Sequence, residues 1–316
     1  MSSPLSLPSE FAQRILGVYP AGGRAWLRDL PALLDEIAAR WTLTAGPPLE
    51  RLSYNYVTAA TLADGGLAIL KLGVPNPELT SEIATLAFYG GRGAARLLAA
   101  DADRGALLME RLIPGQRLAD TLAHADDASD IRATEIAMAV MRALWRPTPA
   151  PPEEPGPYLT VERWGRGFAR MRQRFGGGSG PIPAHLADRA ERLYTELAGS
   201  QGERVLLHGD LHHENILSAG RAPWLAIDPK GVIGERAYEV GALLRNPWPR
   251  LLRWADLART QRRRLNQLAE GLGLDRQRLL GWAIAQAVLS AWWCIEDSAG
   301  DVDRWVALAE VFAALG

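Results

Sequence analysis

The sequence predicts an α+β protein of two lobes, a small β-rich N-lobe followed by a larger, mainly helical C-lobe. Three observations carry that expectation. Residues 51–113 read as strand, strand, helix, strand, strand. From Ile113-Pro114-Gly115 onward the pattern becomes mostly helical. Within that helical part, short apolar runs at 205–210, 215–218 and 224–228 read as strands. The boundary falls at 113/114, which gives a nucleotide-binding lobe 1–113 and a lobe 114–316 for catalysis and the second substrate.

The elements follow in order. The first fifty residues read as helix and turn, with LRDLPALLDEIAARW (27–41) at helical spacing. RLSYNYVTAATL (51–62) is rich in Tyr, Val and Thr, and the Asp64-Gly65-Gly66 turn joins it to the apolar run LAILKLG (67–73). SEIATLAFYGG (81–91) predicts a helix capped by Ser81 and ended by Gly90-Gly91. AARLLAAD and GALLMERLIPG predict two further strands around a turn at 101–105. The Pro-rich stretch 145–157 and GGGSG (176–180) are surface connections. Leu279–Ile295, interrupted only by Gln286 and Ser290, predicts a buried core helix with Asp275 as its N-cap, in preference to a membrane span.

Composition narrows the partners. The 316 residues carry a formal net charge of -1 and a pI of about 6.5, so no basic field is available for nucleic acid. A single cysteine, Cys294, cannot form an intramolecular disulfide and fits a reducing cytoplasm. The first residues lack a basic stretch followed by an apolar core, so neither a signal peptide nor a membrane partner is expected.

Chemistry is concentrated in HGDLHHENIL (208–217) and AIDPKG (226–231). His208, Asp210, Leu211 and Asn215 have the spacing of the protein-kinase catalytic loop, H-R-D-L-x-x-x-N, and Asp228 follows on the next hairpin, where kinases place a metal-binding Asp. Phosphoryl transfer needs a carboxylate beside the attacking hydroxyl and oxygen ligands that hold Mg²⁺ on the phosphates. Asp210 is the candidate base, and Asn215 and Asp228 supply hard oxygen donors for Mg²⁺. Lys71, at the end of an apolar strand, is placed to contact the phosphates of ATP, with Glu82 on the next helix as its partner and Glu78 as the alternative. Glu110 and Leu112 stand where the lobes join and adenine would be held. No glycine-rich loop is present, and Ser53 and Asn55 are the polar candidates in its place. His208, His212 and His213 lack the His-Glu-x-x-His spacing of a zinc hydrolase.

These residues resemble the aminoglycoside phosphotransferase superfamily, and within it the streptomycin 6-phosphotransferase and hydroxyurea-resistance kinase branch. HGDLHHENIL is similar to the superfamily's catalytic loop, and IDPKGVIGERAYEVGALLRNP (227–247) is similar to the branch's Ile-Asp-Pro-Lys-Gly segment and the helix after it. LAILKLG, SEIATLAFYGGRGAARLLAAD and WWCIED extend the resemblance over roughly residues 50–300. It implies a protein-kinase-like fold, ATP and Mg²⁺ as cofactors, Asp210 as base, Asn215 and Asp228 as metal ligands, and Lys71 as the phosphate lysine. Pro229 and Lys230 replace the Phe-Gly of the protein-kinase triplet, which points to a small-molecule acceptor. A polycationic acceptor needs carboxylates beside Asp210, for which Glu235, Glu239, Glu296 and Asp297 are candidates, with Trp292 against a sugar face. Two other functions use the same residues: a kinase for an ordinary metabolite hydroxyl, and a kinase-like protein that binds ligand without transferring phosphate.

Overall fold

The computed structural model describes residues 7–50, 52–122, 126–148, 154–297 and 300–316. It divides into two compact units, Met1–Leu112 and Ile113–Gly316.

The first unit begins with helices α1 (Ser9–Val18) and α2 (Gly23–Arg40) and continues into strand β1 (Leu43–Pro48). β2 (Tyr56–Leu62), β3 (Leu67–Leu72), helix α3 (Pro77–Tyr89), β4 (Leu97–Asp101) and β5 (Ala106–Glu110) complete it. The strands form one sheet in the order β1-β2-β3-β5-β4. Residues 43–48, which include Gly46-Pro47-Pro48, fall within the first fifty residues expected to be helix and turn. The structure makes them an edge strand, where a proline that donates no hydrogen bond is tolerated. The α3 helix also starts earlier than its sequence suggested. Asn76 caps it by accepting from Glu78 N (2.8 Å) and Leu79 N (3.1 Å), Pro77 occupies the first turn, and Ser81 is buried inside the helix.

The side-chain alternation of β3 sets the polarity of this unit. Leu70 and Leu72 enter a core with Phe11, Ile15, Trp26, Leu30 and Ile37 of the two N-terminal helices. Lys71, one residue out of phase, faces the other side of the sheet, where α3 carries Glu82.

The second unit opens with strand β6 (Pro114–Arg117), a short 3₁₀ turn (Leu118–Leu122) and helix α4 (Asp127–Leu144). Strand β7 (Leu159–Thr160) leads into helices α5 (Val161–Arg174) and α6 (Ala184–Gly199). Four short strands follow: β8 (Arg204–Leu207), β9 (Ile216–Ala219), β10 (Trp224–Ala226) and β11 (Val232–Glu235). Helices α7 (Arg236–Leu244), α8 (Leu257–Leu272), α9 (Arg276–Glu296) and α10 (Val302–Ala313) end the chain. Two three-stranded sheets, β10-β9-β6 and β7-β11-β8, flank the loop between β8 and β9. Strand β6 was not legible as a strand, because its partner β9 lies about a hundred residues away and local pattern carries no trace of that pairing.

Helix α9 is the axis of this unit. Asp275 caps it by accepting from Arg278 N (2.7 Å), and its residues from Leu279 to Trp292 are all buried. Its apolar length, sufficient by composition to cross a membrane, is spent on contacts with α6, α7 and α10. Trp282 lies at the centre, edge-on to Tyr194 (5.1 Å) and Tyr238 (4.8 Å).

Candidate active site

The β8–β9 loop, residues 208–215, holds Asp210 and Asn215, two of the residues proposed from sequence for catalysis and metal binding. Its entry is held from below. His208 is fully buried and its ring is locked at both nitrogens: Asp210 N–H donates to Nδ1 (3.2 Å), and Nε2 donates to Ile227 O (2.8 Å). Burial pushes the imidazole down to about 4, so it is neutral at physiological pH. With both nitrogens committed it serves as a brace and has none free for a metal. Gly209 has φ of +84°, and a β-carbon there would sit 2.5 Å from Val232 Cγ2, so glycine alone fits.

Asp210 stands at the head of this brace with its side chain about a third exposed. Burial opposes its ionisation. His212, whose Nε2 lies 3.6 Å from its carboxylate, and the cations Lys230 and Arg245 outweigh burial and hold it well below the usual carboxylate range. Asn215 Nδ2 donates to Asp210 O (3.0 Å), which fixes the amide and leaves its oxygen as the group available to a cation. Ile227 N donates to Asn215 O (2.9 Å), placing Asp228, the next residue, beside Asn215. Asp228 adopts a left-handed backbone, φ +58°, a conformation that Asp tolerates better than most residues. The loop pair thus brings together Asp210, Asn215 and Asp228, which are separated by up to 18 positions in sequence.

Two cations near Asp210 had not been assigned to the site from sequence. Lys230 N donates to His208 O (2.7 Å), and the space over Gly209 is closed in part by Lys230 Cβ. Arg245, at the end of α7, is buried, and its guanidinium donates to Gly241 O (3.1 Å), Gln286 Oε1 (3.3 Å) and Ser290 Oγ. The signal available for Arg245 was its isolation, as the only charged residue from 240 to 249.

The remaining candidates separate clearly. In the first unit Lys71 Nζ donates to both oxygens of Glu82, at 2.7 and 2.8 Å, and both side chains are buried; Glu78 is exposed at the helix start and acts as a first-turn carboxylate. Ser53 and Asn55 lie in the bend between β1 and β2, with Asn55 Oδ1 packed over Gly73. Glu110 N–H donates to Arg96 O (3.0 Å) and its carboxylate accepts from Arg96 N (2.8 Å), while Leu112 is buried at the end of the unit.

Three of the suggested acceptor contacts are placed differently from expectation. Glu239 is buried under the loop, where its carboxylate accepts from His208 N (2.7 Å) and Gly209 N (2.9 Å) and so serves as a backbone anchor. Burial pushes it up to about 7, against the pull of those two donors. Glu235 is held by Arg278 Nε (2.6 Å) and Trp282 Nε1 (2.5 Å), a structural pair between the start of α7 and α9. Trp292 is 2% exposed and turned inward against Phe175. A buried carboxylate survives only with its hydrogen bonds made, and those bonds leave neither glutamate facing a ligand. Glu296 pairs with Arg170 (2.5 and 3.0 Å) and, like Asp297, is exposed at the end of α9.

Comparison with known proteins places this geometry. The family profile described as aminoglycoside/hydroxyurea antibiotic resistance kinase matches residues 40–298. A streptomycin 6-kinase of Streptomyces glaucescens is 33% identical over 316 aligned positions, covering 96% of this chain and 95% of that protein. A hydroxyurea phosphotransferase of Kitasatospora aureofaciens is 33% identical, covering 97% and 86%. Among solved structures, a choline kinase of Streptococcus pneumoniae superposes with a TM-score of 0.59 at 12% identity, covering 90% of this chain and 98% of its own, a likeness of fold.

Proposed function

The chain belongs to the aminoglycoside/hydroxyurea antibiotic resistance kinase family, and we propose that it moves the γ-phosphoryl group of ATP to a hydroxyl of a streptomycin-type aminoglycoside. The observation that carries this reading is the convergence of Asp210, Asn215 and Asp228 on one loop pair, in a chain that aligns nearly end to end with a streptomycin 6-kinase.

The chemistry asks little covalent work of the protein. The acceptor hydroxyl oxygen attacks the γ-phosphorus, the bond from that phosphorus to the bridging oxygen breaks, and ADP leaves with the electron pair. The hydroxyl proton passes to Asp210. A carboxylate held so far down its titration is a weak base, so its main work is to orient the hydroxyl and to accept the proton late, once attack has acidified it. Lys230 offers positive charge at the same place for the transferring phosphoryl oxygens. Lys71, held straight by Glu82, serves the phosphates of the nucleotide.

The donor set suits Mg²⁺. Asn215 and Asp228 are oxygen ligands, and among the described residues no cluster of three or more His, Cys, Asp or Glu forms a closed metal cage. Two protein oxygens with the rest of the shell left to phosphate and water is the usual magnesium arrangement. When bound, the ion neutralises phosphate charge. A single cysteine, which can close no intramolecular disulfide, supports a reducing cytoplasm as the enzyme's setting.

The test is ADP release by purified protein with Mg²⁺-ATP across streptomycin, other aminoglycosides, hydroxyurea and common metabolite alcohols. Release with streptomycin is expected. Release with hydroxyurea or a metabolite alone would keep the transfer and overturn the acceptor. ATP binding with no acceptor-dependent release would favour a ligand-binding protein.

A further inference from the structure

Helix α1 packs on the face of the first unit's sheet opposite α3, with Phe11 and Ile15 in the core that Leu70 and Leu72 enter. Two polar side chains of this segment make contacts that such burial does not require. Arg14 is exposed, yet its Nη1 donates to Leu52 O (3.0 Å), and its guanidinium lies 6.0 Å from the centre of the Tyr54 ring. Tyr19, the C-cap of α1, accepts at its hydroxyl from Asn76 Nδ2 (3.1 Å). The first contact falls on the bend between β1 and β2, and the second on the N-cap of α3.

Both contacts fall on parts that set the surroundings of Lys71. The bend, residues 49–55, contains no glycine and cannot fit a phosphate by backbone freedom alone. It is fixed from outside: the Leu52 side chain enters the core, Arg14 holds Leu52 O, and a β-carbon on Gly73 would lie only 2.1 Å from Asn55 Oδ1. Gly73 follows Lys71 by two residues. On the other face of the sheet, the amide of Asn76 works in two directions. Its oxygen caps α3 through Glu78 N and Leu79 N, while its nitrogen donates to Val74 O (2.8 Å) and to Tyr19. Six residues further along α3, Glu82 holds Lys71 Nζ. A loop tied at its carbonyl and a helix tied at its cap are ordered before a ligand arrives, which lowers the ordering cost of binding.

Resting on the kinase reading above, we infer that α1 is a strut that sets nucleotide affinity, with Arg14 fixing the bend and Tyr19 fixing, through Asn76, the helix whose Glu82 aligns Lys71. Arg14 and Tyr19 act through other residues and are positioning residues for a Mg²⁺-bound nucleoside triphosphate. A helix that only covered the sheet would do so through Phe11 and Ile15. Changes confined to the polar ends of Arg14 and Tyr19 would then leave nucleotide affinity as it was.

The test is titration of the whole protein with N-methylanthraniloyl-ATP and Mg²⁺, which needs no acceptor, alongside thermal melts and steady-state ADP release with streptomycin. Tyr19→Phe and Arg14→Ala leave Phe11 and Ile15 in place. Each should weaken nucleotide binding roughly three- to tenfold and raise KM for ATP by the same factor, with KM for streptomycin unmoved. Arg14→Lys, which can still donate to Leu52 O, should restore most of the affinity. In a Glu82→Gln background, where Lys71 has lost its charged partner, adding Tyr19→Phe should cost about twofold or less, because its effect passes through that pair. Undiminished nucleotide binding in folded Arg14→Ala and Tyr19→Phe overturns the strut, as does a loss shared equally by streptomycin or one that adds in full to that of Glu82→Gln. If ADP release persists while both variants bind nucleotide normally, the strut falls and the kinase reading stands. Variant-dependent nucleotide binding without acceptor-dependent release would support the strut in a protein that binds without transferring phosphate. No nucleotide binding by the native protein overturns both.

Discussion

Asp210 on the β8–β9 loop and Glu239 on α7 are neighbouring carboxylates with opposite surroundings. Both lose hydration to burial. Asp210 is compensated by cations and His212, is driven far down in pKa and keeps a third of its side chain in the open. Glu239 is compensated by two backbone N–H groups, is driven up to about 7 and faces nothing but protein. Pushing two carboxyl groups apart in this way divides labour between them. In the proposed reaction one meets the acceptor hydroxyl, and the other holds the loop that presents it.

The largest effect should come from Asp210→Asn, which keeps the shape and removes the base. Turnover is expected to fall by about 10²–10⁴-fold with ATP binding retained, as steady-state kinetics and nucleotide titration can check. An unchanged rate would erase the contrast with Glu239.

Lys230→Met tests whether cations define the Asp210 side of the comparison. Losing a charge that favours the carboxylate should move the acid limb of the pH–rate profile upward and lower kcat by roughly tenfold or more. Lys230→Arg should restore much of both. A pH profile that does not move would show that His212 and Arg245 suffice.

Glu239→Ala tests the anchor. It strands two buried N–H groups, each costing about 1–3 kcal/mol, so chemical denaturation should register a loss of a few kcal/mol. Glu239→Gln keeps an acceptor and should cost less.

The smallest and most discriminating effect is in the pH dependence of stability. His208 falls from 6.5 unfolded to about 4 folded, so the unfolded chain binds the extra proton between those values. Its contribution, on the order of 3 kcal/mol, is present above pH 6.5 and is lost as pH falls towards 4. Glu239 rises from 4.5 to about 7, so the folded protein holds the extra proton and stability is lost as pH rises through that window. The two slopes oppose each other between pH 4.5 and 6.5. In Glu239→Gln the acid-side loss should therefore steepen, which urea melts at pH 5, 6 and 7 would detect. An unchanged slope would show that burial does not move these two groups in opposite directions.

The proposed catalytic set could be picked out because its spacing is a local property. Asp210, Asn215 and Asp228 are fixed by a loop and the hairpin after it, and chain order alone brings them together. Lys71 could be read from strand alternation, since a lysine between Leu70 and Leu72 turns away from the core they enter. Caps were read less well: Ser81 resembles a helix start, yet Asn76 and Pro77, five and four residues earlier, offer an acceptor and a preset φ. The edge strand β1 was hidden because proline signals a turn until the sheet order shows that its missing donor faces no partner.

The sequence by itself determined the reaction, because phosphoryl transfer demands particular side chains at fixed short spacings. Only the tertiary structure decided which of the remaining polar and aromatic residues are free to meet a ligand. Glu235, Glu239 and Trp292 look the same in sequence as residues that line a pocket. They were withdrawn by partners that α9, the β8–β9 loop and the end of α5 supply from 30 or more positions away. Trp164 of α5 and Trp293 of α9, edge-to-face with centroids 5.7 Å apart, were joined by the same packing, since a helix face is assigned by what it is packed against and one residue's step along α9 turns a ring by about 100°.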